Sequence, residues 1–320
     1  MLERLLLLWL TLLSVLAYFW PTWLSADWDP FVASAPGLNY LFAVTMLAIG
    51  SLLPRDEVQQ VIQRWRTVLG GTAIQYTAMP ILAYGFARLF GLEGAALVGV
   101  LMAGCVPGAM ASNVLTLVAR GNVSYSVSLT TSATLLSPIM VPLALLLALG
   151  YEAKDFPTGK LIWDLCWMVV LPVVIGHFLS RTFVVWEVTA RRVGTIIANL
   201  TILWIVAVVV ATNRDKLSGL ELRLPLALLG LNICGYVAGT LGSFLLRLPA
   251  PMRRALTLEV GMQNAGLGTV LARNLFGDTA AIAPALYTFG CMFTGTILAR
   301  CWAEFGRKEG KETEGVPEEV

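Results

Sequence analysis

The residues with the most chemistry to offer sit where a chain usually avoids it. From Leu258 to Gly268 the sequence reads Leu-Glu-Val-Gly-Met-Gln-Asn-Ala-Gly-Leu-Gly, inside an apolar run from about Ala255 to Leu275. Glu259 brings a carboxylate, and Gln263 and Asn264 bring carboxamides. An ionised carboxylate at bilayer depth costs about 2.5–3.5 kcal/mol or more, so it persists when paired, protonated or bound to a cation. No Lys or Arg lies between Arg254 and Arg273 to pair with it. Gly261, Gly266 and Gly268 each lower helix stability by about 1 kcal/mol relative to Ala, so the helix is expected to break here and free backbone carbonyls. Broken backbone at membrane depth is tolerated only inside protein or beside a water-filled cavity. A buried acid, amide oxygens and freed carbonyls together suit a small hard cation. The alternative is a packing acid bonded to a neighbouring helix, with glycine at close contacts.

The rest of the chain reads as the membrane protein such a site needs. Of 320 residues, 57% are hydrophobic and 13% charged, with mean hydropathy +0.76. That composition marks an all-α polytopic membrane protein. The net charge of +2 is spread over short loops and gives no nucleic-acid surface. Cys105, Cys166, Cys234, Cys291 and Cys301 show no pairing pattern, and His177 is the only histidine. A disulfide framework and a His-based metal cluster are therefore not expected. Walker, GxSxG and HExxH signatures are absent, so no common enzyme class is indicated.

Ten apolar segments follow one another: Leu5–Phe19, Leu38–Leu53, Thr67–Leu89, Gly94–Ala119, Val123–Gly150, Leu161–Leu179, Val193–Thr212, Leu224–Leu246, 251–275 and Ala280–Trp302. The first is read as a retained helix and not a signal peptide cleaved after Leu24-Ser25-Ala26, because it completes an even set. Arg55 to Arg66 is charged and periodic, as an interfacial helix would be. A polar loop, Tyr151 to Lys160, divides five spans (1–150) from five more (151–306), and 307–320 reads as a charged, disordered cytoplasmic tail. In each half the fourth span is interrupted, at Pro107-Gly108 and at Gly261. An odd number of spans per half inverts the second against the first, and matched interruptions in two halves point to a transporter binding site. About two-thirds of the 22 Lys and Arg fall on the side of the N-terminus, which predicts both termini in the cytoplasm and an inner (plasma) membrane location.

The first interruption runs Gly104-Cys105-Val106-Pro107-Gly108-Ala109-Met110-Ala111-Ser112-Asn113. Pro107 removes an N–H and clashes with the preceding turn. One span later come Ser124, Ser126, Ser128, Thr130, Thr131, Ser132 and Thr134. Ser126 and Thr130, four apart, share a helix face, and the run reads as a polar, ion-facing stripe. Asp164 reads as an acid reaching the interface, His177 as a packed neutral histidine, and Asn232 as a helix–helix hydrogen bond.

The order Pro107-Gly108, Ala111-Ser112-Asn113, a Gly121-Asn122 turn, a Ser/Thr-rich span and then Glu259-Val260-Gly261-Met262-Gln263-Asn264-Ala265 resembles the bile acid:sodium symporter family over roughly residues 35–300. The resemblance implies a core domain of spans 3–5 and 8–10 beside a panel domain of spans 1, 2, 6 and 7. It also implies two Na⁺ sites where spans 4 and 9 cross. Carried across position by position, the first site takes Ser112, Asn113, Ser126, Thr130 and Glu259. The second takes Gln75, Glu259, Val260, Met262 and Gln263, with Val260 and Met262 acting through their carbonyls. These all-oxygen ligands suit a hard cation. A transported anion would approach the half-helix N-termini near Ala111 and Asn264. Met110 stands where well-known members carry Thr, and Cys291-Met292 where they carry His-Asn. Those losses favour a small organic anion over bile acid itself.

The expectation is a sodium-coupled symporter of a small organic anion, working by alternating access in the bilayer. Its rivals are a proton-coupled carrier in which Glu259 titrates, an intramembrane lipid-modifying enzyme, and a channel or sensor.

Overall fold

The computed structural model describes residues 6–24, 27–54, 57–150 and 157–314. Regular secondary structure among them is entirely helical. The principal helices are α1 (Leu6–Trp23), α2 (Leu38–Leu52), α3 (Trp65–Leu89), α4 (Gly94–Cys105), α5 (Ala111–Val118), α6 (Val123–Leu149), α7 (Thr158–Thr182), α8 (Val184–Thr212), α9 (Arg223–Leu245), α10 (Ala250–Gly261), α11 (Ala265–Phe276) and α12 (Ile282–Glu314). Among the described residues, six helical stretches are long and apolar enough to cross a membrane: Pro30–Leu52, α6, α7, α8, α9 and Asp278–Glu304. Large apolar side chains such as Ile81, Leu147 and Leu245 lie on the outside, where lipid would solvate them. This is a multi-pass helical membrane protein.

The segments read from the sequence coincide with these helices, with instructive differences at their ends. Helix α8 starts at Val184, well before the predicted Val193, and takes in charged residues. Arg191 and Glu187 sit one turn apart and pair at 2.9 Å, which supports a helix there. Between the first two segments lies a turn of helix, Pro30–Ser34, capped by the Asp29 carboxylate. Helix α12 runs on to Glu314, into the residues read as a tail, through a stretch rich in strong helix formers. Residues 315–320 lie outside the described residues, as do Ser25, Ala26, Arg55 and most of the Tyr151–Lys160 loop.

Packing divides the helices into two sets. Helix α2 packs on α7 and α8, and α1 packs on α8. The contact between α2 and α7 is close because a Cβ on Gly50 or Gly176 would strike a carbonyl of the facing helix. Small residues of this kind let backbones approach where lipid offers no hydrophobic drive. Helix α3 packs on α4, α6 and α9, while α9 packs on α10 and α12. The two interrupted pairs, α4/α5 and α10/α11, lie inside this second set.

Candidate functional site

The interruptions fall where the sequence places them, and they meet. Helix α4 ends at Cys105 and the chain turns extended at Val106, ahead of Pro107. Helix α10 ends at Gly261, and Met262 is extended. Gly108 and Gln263 then face each other as one antiparallel bridge. Ala109 N–H donates to the Met262 carbonyl at 2.8 Å, and Asn264 N–H to the Pro107 carbonyl at 2.7 Å. Each broken helix thus supplies partners for backbone groups the other has freed, as a non-aqueous interior requires.

Glu259 sits one turn before the second break and is fully buried. Ser112, at the start of α5, donates its hydroxyl to Glu259 Oε2 at 2.5 Å. Thr130 Oγ1, from α6, lies 2.8 Å from both carboxylate oxygens. Asn113 Oδ1 is 3.4 Å from that same hydroxyl. None of the ion pairs among the described residues involves Glu259. Gly108 is needed at the crossing because a Cβ there would fall on the Glu259 carboxylate.

The second expected set is also assembled. Gln75, buried on α3, donates to Gln263 Oε1 at 3.3 Å. Gln263 Nε2 donates to the Val260 carbonyl at 2.7 Å. The Met262 carbonyl already accepts from Ala109. Among the described residues no cluster of His, Cys, Asp and Glu could hold a metal, so any cation here would rest on amide, hydroxyl and carbonyl oxygens plus one carboxylate.

Ser126 departs from expectation. Its hydroxyl pairs with Thr116 Oγ1 at 3.2 Å, and it is its carbonyl that meets Thr130, at 3.1 Å. Of the other hydroxyls in the run, Ser128 bonds back to Ser124, Ser132 lies 3.3 Å from Thr72, and Thr131 Oγ1 is buried without a hydrogen-bond partner. Within the run, Thr130 is the residue whose hydroxyl meets Glu259. The residues expected to meet an anion, Met110, Ala111 and Asn264, are half-buried at the rim of the crossing. Asn264 is more fully engaged than expected: its side chain caps Leu267 N–H at 3.1 Å and its N–H is spent on Pro107.

Two residues outside the expected ligand set complete the crossing. The Gly261 carbonyl accepts from Asn232 Nδ2 and from Tyr287 Oη, each at 2.8 Å. Asn232 makes the helix–helix bond read from the sequence, and its carbonyl oxygen accepts from Thr294 at 2.6 Å. Tyr287 carried no sequence signal beyond being an aromatic in an apolar span. Asp164 is buried, with 6% exposure. His177 is half-buried and accepts from Arg181 at 2.8 Å.

A buried polar crossing of two broken helices, enclosed by apolar helices of membrane-spanning length, defines a multi-pass protein built to handle a small polar species within the bilayer. The family model of the sodium bile acid symporter family matches residues 40–220. The chain is 31% identical to the sodium-dependent transporter YocS of Bacillus subtilis, over 94% of this chain and 92% of that one. It is 29% identical to the probable sodium/metabolite cotransporter BASS1, chloroplastic, of Arabidopsis thaliana, over 94% and 74%. It is 26% identical to sodium/bile acid cotransporter 4 of Mus musculus, over 81% and 59%. The protein belongs to the sodium bile acid symporter family, a family of transporters and not of enzymes.

Proposed function

We propose that the protein is a symporter that couples Na⁺ to a small organic anion, and that Glu259 is the shared ligand of two Na⁺ sites. The observation that carries this is a fully buried carboxylate with no basic partner among the described residues, held by hydroxyls from α5 and α6 where two broken helices cross. Hydrogen bonds alone would also suit a packing acid. Membership of a sodium-coupled family, and the oxygen-only surroundings, favour the cation.

The first site takes Ser112, Asn113, Thr130, Glu259 and Ser126, whose carbonyl accepts from Thr130 at 3.1 Å. The second takes Gln75, Gln263, Glu259 and the carbonyls of Val260 and Met262. The anion meets the rim at Met110, Ala111 and Asn264. One carboxylate, two Na⁺ and one monoanion balance in charge, so each bound species lowers the electrostatic cost of the others. Alternating access would move the set around α3, α4/α5, α6 and α9–α12 (core) against α1, α2, α7 and α8 (panel). The packing described above supports that division. The halves 1–150 and 151–306 would be inverted repeats of five spans, ten in all, in the plasma membrane with both termini cytoplasmic.

The test is counterflow of a panel of labelled carboxylates in proteoliposomes, with Na⁺, with K⁺, and with an imposed pH gradient. Uptake that requires Na⁺ is the expected result. Uptake that ignores Na⁺ and follows the pH gradient would make Glu259 a proton carrier instead.

A further inference from the structure

The hydrogen bonds that join the two helix sets gather at one end of the molecule. The exposed Lys160, in the first turn of α7, donates to the Asn274 carbonyl near the end of α11 at 2.9 Å. Asn274 Nδ2 donates to Asn39 Oδ1, at the start of α2, at 2.9 Å. The Arg273 guanidinium donates to the Ala35 carbonyl, just before α2, and to Asp278 at 2.5 Å. Asn213, after α8, donates to the Asp278 carbonyl at 3.2 Å. At the same end Lys216, after α8, donates to the Thr279 hydroxyl.

One turn beyond Lys160 on the same helix lies Asp164, and its state is unusual. One carboxylate oxygen accepts from Trp167 Nε1 at 3.2 Å, and the other is buried with no partner. A buried carboxylate oxygen left unpaired in a native structure calls for an explanation. Immediately after it, Cys166–Val170 forms a π-helical turn, a feature that recurs where helices carry function. Residues four apart on a helix are neighbours, so Lys160 is the nearest cation along this helix for Asp164. In this structure its ammonium is engaged across the interface.

We propose that the Arg273–Asn274 end of α11 is a latch closing this end of the transporter, and that Lys160 is its bolt, passing from the Asn274 carbonyl to Asp164 when the end opens. This rests on the alternating-access reading above. When α11 withdraws, Lys160 loses its carbonyl and Asp164 gains a partner. The exchange replaces a lost contact with a new one and brings the closed and open states closer in energy, as a carrier that cycles between them requires.

The experiment measures this end directly, without needing the transported anion. Spin labels are placed at Trp163→Cys on α7 and Leu222→Cys before α9, both well exposed (67% and 73%), in the full chain with Cys166, Cys234 and Cys301 replaced. Distance distributions are recorded in lipid nanodiscs in Na⁺ and in K⁺. A short and a long population are expected. Lys160→Met should raise the long-to-short ratio roughly two- to tenfold, the change that one net hydrogen bond makes to an equilibrium. Asp164→Asn should lower it by a similar factor, and Lys160→Arg should leave it near the parent value. A long population indifferent to both Lys160→Met and Asp164→Asn overturns the latch and leaves the transport reading standing. A single short distance under every condition overturns alternation at this end, and with it the transport reading.

Discussion

Thr130 Oγ1 sits astride the Glu259 carboxylate, 2.8 Å from each oxygen. Residues 129 positions apart in the chain are held there because α6 runs past the point where α10 breaks, and Ser112 closes the other side at 2.5 Å. A carboxylate held on two sides by hydroxyls from different elements reports any change in how those elements approach one another. On the proposed reading, that one side chain would link ion occupancy to helix arrangement.

Removing the charge should remove the linkage. Glu259→Gln keeps the size of the side chain, and the protein should still fold and purify. Na⁺-stimulated uptake should be abolished, and the Na⁺-induced rise in melting temperature should vanish with it. Ser112→Ala and Thr130→Ala each delete a hydrogen bond to a charged group, worth about 1.5–3 kcal/mol. Na⁺ half-saturation should then rise by roughly tenfold or more, while Thr130→Ser stays near the parent value. A Thr130→Ala protein with unchanged Na⁺ dependence would detach α6 from the site.

The second set should respond unequally. Gln75 touches the crossing through one contact at 3.3 Å, whereas Gln263 also ties down the Val260 carbonyl at 2.7 Å. Gln263→Ala should therefore raise Na⁺ half-saturation more than Gln75→Ala. Sodium titrations of uptake in the two variants, run side by side, check the order; the reverse order would shift the second site toward α3.

Much of this crossing was legible because it breaks the rules of an apolar span. An acid without a base, glycines 261, 266 and 268, and Pro107-Gly108 all cost stability in a lipid-bound helix, and each marks a place where the fold departs from a plain rod. The reading was weaker where a residue type is cheap. Serine and threonine can bond back to their own helix, so the polar run in α6 could not say that only Thr130 turns to Glu259 while Ser126 faces Thr116. Tyr287 and Asn232 converge on one carbonyl from α12 and α9, a coincidence of tertiary packing that no local pattern encodes. Asp164 looked like an interfacial acid because it follows Lys160; its burial depends on the neighbours of α7.

Gly108 carries a prediction of its own. Its missing Cβ leaves the space that the Glu259 carboxylate occupies. Gly108→Ala should destabilise by about 1–3 kcal/mol as an overpacked site and weaken Na⁺ dependence more than its loss of thermal stability alone would. The shorter acid of Glu259→Asp relieves the crowding, so the double variant should recover Na⁺-dependent uptake relative to Gly108→Ala alone. If the double variant is worse than either single, the crowding lies elsewhere.

The break in α10 is held by side chains that need no ion, and this separates stability from coupling. The Gly261 carbonyl, freed by the break, accepts from Asn232 and Tyr287 at 2.8 Å each. Tyr287→Phe removes one donor and leaves the other, so it should cost about 0.5–1.5 kcal/mol. Asn232→Ala should cost more, because it also removes the bond that Asn232 Oδ1 accepts from the Thr294 hydroxyl at 2.6 Å, leaving that hydroxyl with Gly290 and Tyr236. The two donors share one acceptor, so the double variant should lose more than the sum of the singles: only then is a buried carbonyl left bare. Melting temperatures in detergent without Na⁺ provide the cycle. Strict additivity would mean that the carbonyl finds another donor once the break is disturbed, and that the kink is held by packing alone.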